Sequence, residues 1–455
     1  MLSTNIANAS TEGFARREIS LSTRVLDGGS AGVQIDGVSR VVNAALQQDL
    51  RDASAELGYE EARSNAYGEI GRLLGTPGDT SSLTSLLDRF ETVLLEASSR
   101  PDETARLVAV SDAARALVDG ANRISEGYQE LRQDADVSIA RQIDDLNTKL
   151  AQIQSLNADI ARLNGAGRDV TGLLDLRQGL VNDVSQIVPV REYPRGDEKV
   201  ALVTTGGGVL LDPTAIKVDF APTGTITADM TLSSGALSGL TINGLAAATE
   251  GTFAPFGGGT LAAAFEVRDS IVPTAQAELD AFARDLVERF EDPATDPARS
   301  LAAPGVFTDG PSPLDPLDTA GLATRLRLNT GFDPAVGGSA ESWRDGIGGA
   351  VPAEAGDGRQ ILRYLEALQV SRAPSSTALP AIERDSSTLL ADLTSLSSVR
   401  DTTAEAETLF ARTRFEGQQQ LVFAEGVDTD QELQKLLLVE QNYAANARVI
   451  QTIDE

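Results

Sequence analysis

An α+β multidomain fold, with a long coiled-coil or helix-bundle domain formed by both terminal regions and a β-rich domain inserted in the middle, follows from three features of the sequence. Apolar residues keep helical or heptad spacing from about residue 83 to 163 and again towards the end of the chain; the texture turns to short β-rich runs and glycines after Pro189; and 455 residues are enough for roughly three compact units.

The first helix is read from Leu83, Leu86, Leu87, Phe90, Leu94 and Ala97, which share one face at i, i+3, i+4, i+7 spacing, with hydroxyl caps offered by Thr80 to Ser82. Pro101 ends it or opens the next. From about Glu103 to Leu163, Leu107, Val110, Ala114, Leu117, Ala121, Ile124, Tyr128 and Leu131 alternate steps of three and four, the 3.5-residue period of a supercoiled seam. The phase slips near Ala135 and Ile139 and resumes at Ile143, Leu146, Leu150, Ile153 and Ile160, with Asn157 at a core position. This pattern predicts a rod with a stutter, roughly 90 Å long if unbroken at 1.5 Å per residue. Gly120 and Gly127 each cost such a helix about 1 kcal/mol and are the expected points of a bend or break.

Residues 190–258 predict a β-rich module. KVALVTTGGGVLLD gives two short runs around a Gly206 to Gly208 turn, Ile226, Ala228, Met230 and Leu232 alternate with polar residues, and Asn243-Gly244 is a tight-turn signal. Helical spacing returns over 261–290, where Pro273 is expected to kink or divide it. The Pro-, Gly- and Asp-rich stretch 292–358 is expected to be exposed loops with a few short strands. Helices are expected near 359–369, 383–422 and 429–455; the last carries Leu436, Val439, Tyr443, Ala447, Ile450 and Ile453 in one stripe that runs on without a terminator. Such an end is expected either to order against a neighbour or to belong to a longer helix. The implied division is 1–40, an N-terminal signature and extended segment; 41–189 with 260–292 and 359–455, a discontinuous helix bundle; and 190–259 with 293–358, a β-rich and loop-rich outer domain.

Composition narrows the function. A net charge of -29 repels phosphate backbones and anionic headgroups, so neither nucleic acid nor membrane is an expected partner. The absence of Cys and His removes thiolate nucleophiles, imidazole bases, disulfides and the usual transition-metal ligand sets; no metal and no cofactor is expected. With aromatics at 4%, cohesion is expected mainly from Leu, Ile, Val and Ala. The N-terminus lacks a basic region followed by an apolar core, which argues for a cytoplasmic protein or one exported without a cleaved signal. Catalysis finds little support. Thr205 to Gly208 lacks the Lys-Ser/Thr of a phosphate loop, and Lys149, Lys199, Lys217 and Lys435 are scattered. Asp144 and Asp145 leave a carboxylate-dependent hydrolase as a remote alternative, although a solvated helix face is the default for such a pair.

The two ends are more specific. In NIANASTEGFARRE, Asn5, Ala7, Asn8, Thr11, Gly13 and Phe14 resemble the signature of flagellar rod, hook and junction proteins, with Phe14 where Tyr is commoner. Gly13 and small polar residues suit a sharp exit from a helix, and an aromatic can anchor the emerging chain. The long helical segment 82–125, GLLDLRQGLVNDVSQIVPV at Gly172 to Val190, the stretch containing FEVRD at Phe265 to Asp269, and the terminal EGVDTDQELQKLLLVEQNYAANARVIQTIDE together resemble the first hook-filament junction proteins, the FlgK family of flagellar hook-associated proteins.

That resemblance implies a non-enzymatic structural subunit of the bacterial flagellum, needed for filament assembly and motility. It implies an extracellular location at the hook-filament junction, reached by type III export without signal cleavage. The implied partners are the hook protein, the second hook-filament junction protein, neighbouring copies of the chain, and an export chaperone. Leu436, Val439, Tyr443, Ala447, Ile450 and Ile453 are the candidate chaperone or assembly face, a stripe read equally well as intramolecular core. Another axial protein, the hook subunit or the second junction protein, is the nearer alternative. The family usually has a further helix before the Asn-rich turn and further residues after Glu455, so parts of the terminal domain are expected to lie outside this sequence, and the short middle is expected to reduce or omit an outer domain seen in some relatives.

Overall fold

A computed structural model describes residues 1–9, 11, 13–26, 29–76, 78–249, 254–300, 302–348 and 352–454, with side chains described except at 24–26, 29–32, 35–36 and 452–454. The chain opens with a short helix α1 (Leu2–Ala7) and an antiparallel hairpin, β1 (Arg16–Leu26) and β2 (Gly29–Val41). Helices α2 (Ala44–Leu74), α3 (Leu83–Ser99), α4 (Thr104–Gly165) and α5 (Thr171–Ile187) follow. Strands β3 (Val190–Pro194), β4 (Val200–Thr204) and β5 (Val209–Leu211) form one antiparallel sheet, and β6 (Val218–Asp219), β7 (Leu240–Ile242) and β8 (Leu245–Ala247) another. Then come α6 (Gly259–Glu266), α7 (Val272–Glu291), β9 (Phe307–Asp309), α8 (Leu322–Arg325), β10 (Leu326–Leu328), α9 (Ser342–Asp345), α10 (Arg359–Gln369), α11 (Ser386–Glu425) and α12 (Thr429–Asp454).

Helix α4 is the spine. Its 62 residues run without a break, and every apolar position of the two predicted seams except Leu131 is buried, with Leu131 packed at the edge. Gly120 and Gly127, expected to bend or break it, do neither. A Cβ at Gly120 would stand 2.6 Å from Leu86 Cδ1, and one at Gly127 would stand 2.7 Å from Leu73 Cδ2. Both glycines let neighbouring helices press against the spine, and packing outweighs their helix-propensity cost.

The slip in phase marks a division of the interior. From Leu107 to Ala135, α4 packs into one core with α2, α3, α7, α10 and the start of α11; from Ile139 to Ile153 it packs into a second with α5, α6 and the two three-stranded sheets. At the change-over the extra residue turns polar side chains inward. Asp136 and Arg268 are both fully buried and bonded at 2.7 Å; Asp136 also accepts the Thr223 N–H, and Arg268 donates to Asp269 and to the Ser238 carbonyl, with Phe265 against its guanidinium at 4.9 Å. Arg132, one turn earlier, donates to the carbonyls of Arg268, Thr227 and Met230. A π-helical turn at Val267–Ile271 separates α6 from α7 and leads into Pro273, which cannot donate to the preceding turn. Asn157 binds both the N–H and the carbonyl of Val200, pinning β4 to the spine.

The segment 292–358 corrects the expectation of an exposed, tolerant stretch. Phe307, Phe332 and Trp343 are fully buried with Phe90, Phe290 and Tyr364; Phe332 and Trp343 have ring centroids 4.7 Å apart, and Trp343 Nε1 donates to Ser111 Oγ at 2.9 Å. Few apolar residues are needed when the ones present are this large. Those residues join the first core, whereas Val190, Leu202, Leu210, Leu211, Val218 and Leu240 join the second, so the strands of the β-rich stretch and the loop-rich stretch sit on different halves of the spine. They touch where Gly321 approaches Ala228. The carboxylate of Asp280 on α7 accepts the N–H groups of Gly321 and Ala323 at 2.8 Å and so holds the 321–323 turn.

The closing helix α11 runs antiparallel to α2. Arg414 pairs with Glu56, Arg412 with Glu61 and Arg63 with Glu407, while buried Ala53, Ala66, Ala404 and Ala411 allow the two helices to lie close. Asn43 caps α2 through the N–H groups of Ala45 and Leu46 and also donates to Glu425 at the end of α11.

Asp136→Ala leaves the Arg268 charge buried without that partner and is expected to destabilise the fold by roughly 3–5 kcal/mol. A urea melt checks this; an unchanged midpoint contradicts it. Burial pushes the Asp280 carboxyl up to about 6 despite the N–H groups of Ala323 and Gly321 and the Gln276 amide donating to it. Its folded value lies above the unfolded one, so the folded state binds more protons between the two. Its contribution is therefore expected to fall as pH rises from about 4 to about 6 and to level off above. Wild-type stability minus that of Asp280→Asn, followed across this window, isolates the effect; a flat difference contradicts it.

Candidate assembly surface at the joined termini

The first and last helices meet. Asn5, the first Asn of the N-terminal signature, is fully buried: its amide nitrogen donates to Glu432 of α12 at 2.9 Å and to the Arg17 carbonyl at 3.0 Å, and its amide oxygen accepts the Arg17 N–H at 3.1 Å. One side chain thus ties α1, β1 and α12. Burial opposes the charge of Glu432, but the Asn5 amide and the Lys435 ammonium hold its carboxyl below the usual range.

The other signature residues build the turn out of α1. Asn8 Nδ2 donates to the Thr4 carbonyl at 2.9 Å, and Thr11 Oγ1 donates to Asn8 Oδ1 at 3.3 Å. Gly13 has φ of +76°, which a residue with a Cβ rarely adopts, and delivers Phe14 so that the Arg17 guanidinium lies 5.1 Å over its ring. Ala7 is exposed.

Sequence reasoning missed Asp175. This residue of α5 accepts the Arg40 Nε at 2.8 Å, the Arg17 guanidinium at 3.0 Å and the Ala15 N–H at 3.4 Å, so the base of the hairpin rests on one carboxylate. Its only sequence signal is its place in the Leu-Leu-Asp-x-Arg run. Phe14, Arg16, Arg40, Val42, Leu46, Leu50, Val422 and Phe423 help line a cleft of about 130 Å³ between the turn, the hairpin base, α2 and the end of α11.

Around this joint the chain exposes apolar residues that it does not cover. Ile19 faces Val38 across the hairpin and Arg17 faces Arg40, so Ile19, Leu21, Val33 and Val38 lie on one face, Leu21 at 60% exposure. Phe410, Leu421 and Phe423 are exposed on α11. Of the predicted α12 stripe, Leu436, Val439, Tyr443 and Ile450 are exposed, Tyr443 at 77%, Ala447 is half-buried, and the side chain of Ile453 lies outside the described residues. Leu433, Leu437, Leu438 and Val449 widen the apolar surface of that helix.

The residues weighed for chemistry lie elsewhere. Asp144 and Asp145 are exposed on α4, where Lys149 bridges Asp145 and Asp183; Thr205 to Gly208 forms the β4–β5 turn. Among the described residues no group of three or more acidic side chains is placed to hold a metal, and no helix is long and apolar enough to cross a membrane.

Residues 418–455 match the C-terminal model of the flagellar basal body rod FlgEFG proteins, a class of flagellar proteins. Residues 67–295, just over half of the chain, match the flagellar hook-associated protein FlgK helical domain, and the chain belongs to that family of structural flagellar proteins. It is 27% identical over 218 residues to flagellar hook-associated protein 1 of Bacillus subtilis, covering 45% of this chain and 41% of that one. It is 29% identical over 195 residues to flagellar hook-associated protein 1 of Escherichia coli, covering 41% and 35%. The aligned region therefore spans about two fifths of the length of these relatives. The flagellar hook junction protein FlgK of Burkholderia pseudomallei aligns with a TM-score of 0.47 and 18% identity over 58% of this chain and 47% of that one.

Asn5→Ala removes three hydrogen bonds and leaves the buried Glu432 carboxylate with Lys435 as its remaining partner, a loss of roughly 1–3 kcal/mol in the docking of α1. Amide hydrogen exchange is expected to speed up across residues 2–8 and at Arg17. Unaltered protection there contradicts the clamp.

Proposed function

We propose that this chain is a structural subunit of the bacterial flagellum at the hook-filament junction, needed for filament assembly and motility, and that it works by shape rather than chemistry. The observation carrying this reading is the union of both termini through Asn5 and Glu432 beside apolar faces on the hairpin, α11 and α12 that the chain leaves open. Monomeric proteins rarely expose contiguous apolar patches larger than a few hundred Å², and faces of this kind suit burial against neighbouring subunits. Membership of the FlgK family supports a flagellar location.

In this reading residues 1–40 and α12 form the axial end, α2 to α5, α6, α7, α10 and α11 form the bundle together with 293–358, and 190–259 faces outward. The hook protein lies on one side of the ring of copies and the second junction protein on the other. The exposed stripe Leu436, Val439, Tyr443 and Ile450 is offered to an export chaperone before assembly and to neighbouring copies afterwards. The chain travels through the export channel unfolded and without a cleaved signal; having no cysteine, it carries no disulfide into that passage.

Immunogold labelling of isolated flagella is expected to mark a narrow band between hook and filament. Label along the whole hook, or on the cell body, contradicts the proposal.

A further inference from the structure

Asp175 lies in the Leu-Leu-Asp-x-Arg run, outside both apolar cores and at the base of the hairpin. Its neighbours on α5, Val181, Val184 and Ile187, are buried in the second core, so its carboxylate is carried on an element that the body holds firmly. Two cations converge on it. Arg17 and Arg40 are cross-strand partners at the open end of the hairpin and therefore project from the same face of the ribbon; each donates to a different oxygen of Asp175, and the Ala15 N–H adds a third bond. The three arrive from both strands of the hairpin, so the carboxylate fixes the ribbon against rotation as well as translation.

Arg17 is bound twice. Its backbone N–H and carbonyl are clamped by Asn5, which is bonded to Glu432, while its guanidinium is held by Asp175. A continuous polar chain thus runs from α12 through Glu432, Asn5, Arg17 and Asp175 to α5. Among the described residues, buried Nη2 of Arg40 and Nε of Arg17 have no acceptor, so the site holds more donors than acceptors. A two-stranded ribbon is marginally stable alone and cannot set its own angle on a body by backbone stiffness.

We propose that Asp175 is the positioning residue that sets the inclination of the joined termini on the helical body, and that subunits lacking its carboxylate fold but do not fit their place in the assembly. This rests on the assembly function proposed above. In that reading the terminal helices pack into a shared tube while the bodies pack outside it, so a subunit whose two parts meet at a variable angle satisfies one set of contacts only by missing the other. The residue acts through Arg17 and Arg40.

The full chain has no cysteine, so introduced thiols are the only labelling sites. Spin labels at Gln34→Cys on the hairpin and Gln152→Cys on α4 report the angle as a distance distribution. The unsubstituted Asp175 protein is expected to give one narrow distribution. Asp175→Ala is expected to broaden it and shift its mean, with the thermal melt of the helices retained, and Arg40→Gln, which removes one of the two cations, is expected to do so to a smaller degree. In cells, Asp175→Ala is expected to be exported but lost to the medium rather than incorporated, with loss of motility, and Asp175→Glu to restore part of both. An unchanged distance distribution in Asp175→Ala overturns the proposal, whatever the role of the protein. A broadened distribution with normal incorporation overturns the link between angle and assembly. Failure of the junction reading shows separately, as wild-type protein absent from the junction in labelled flagella while the spin-label result stands.

Discussion

The fold depends on a single helix finding enough partners. A helix of 62 residues extends roughly 90 Å, much further than one compact core reaches, and an isolated stripe of that length would stay wet. The chain answers by packing two cores end to end along α4, one helical and aromatic, the other made with α5, α6 and small sheets. Because heptad spacing cannot serve both without adjustment, the period slips between Ala135 and Ile139, and the slip is filled by the buried Asp136–Arg268 pair with Arg132 beside it. These charges are buried only because each finds several partners; the arrangement fixes which half of the spine each module occupies.

The joined termini are built on the opposite principle. Their interior is polar, with Asn5, Glu432, Arg17 and Asp175 joined by hydrogen bonds, and their exterior is apolar. Polar contacts demand particular distances and angles and so define a geometry; the apolar residues of the hairpin and α12 are left exposed. Joint and body thus divide the work, rigidity coming from α4 and its cores and orientation from a few directional bonds.

Much of this was legible in the sequence. The seams of α3 and α4, the stutter, the break at Pro189 and the return of helices at the end are periodic, and periodicity is the signal that apolar burial leaves. Less legible was anything that depends on one residue meeting another far along the chain. Gly120 and Gly127 read as helix weaknesses because the leucines that press on them, Leu86 and Leu73, belong to other helices. Segment 292–358 read as exposed because its apolar residues are few, yet Phe307, Phe332 and Trp343 are large and all point inward. At the joint, the signature named Asn5 and Phe14, whereas Glu432 and Asp175 are single acids in an acid-rich chain whose roles appear only when the chain is folded.

The central claim is that the opening and closing segments of the chain are held side by side. Cysteines introduced at Ser3 and Gln431, both exposed and flanking the Asn5–Glu432 contact, can be bridged by a short bismaleimide in dilute solution. Efficient intramolecular bridging, lost when Asn5 is replaced by Ala, is the predicted result. Two thiols that react singly but never bridge within one chain would contradict it.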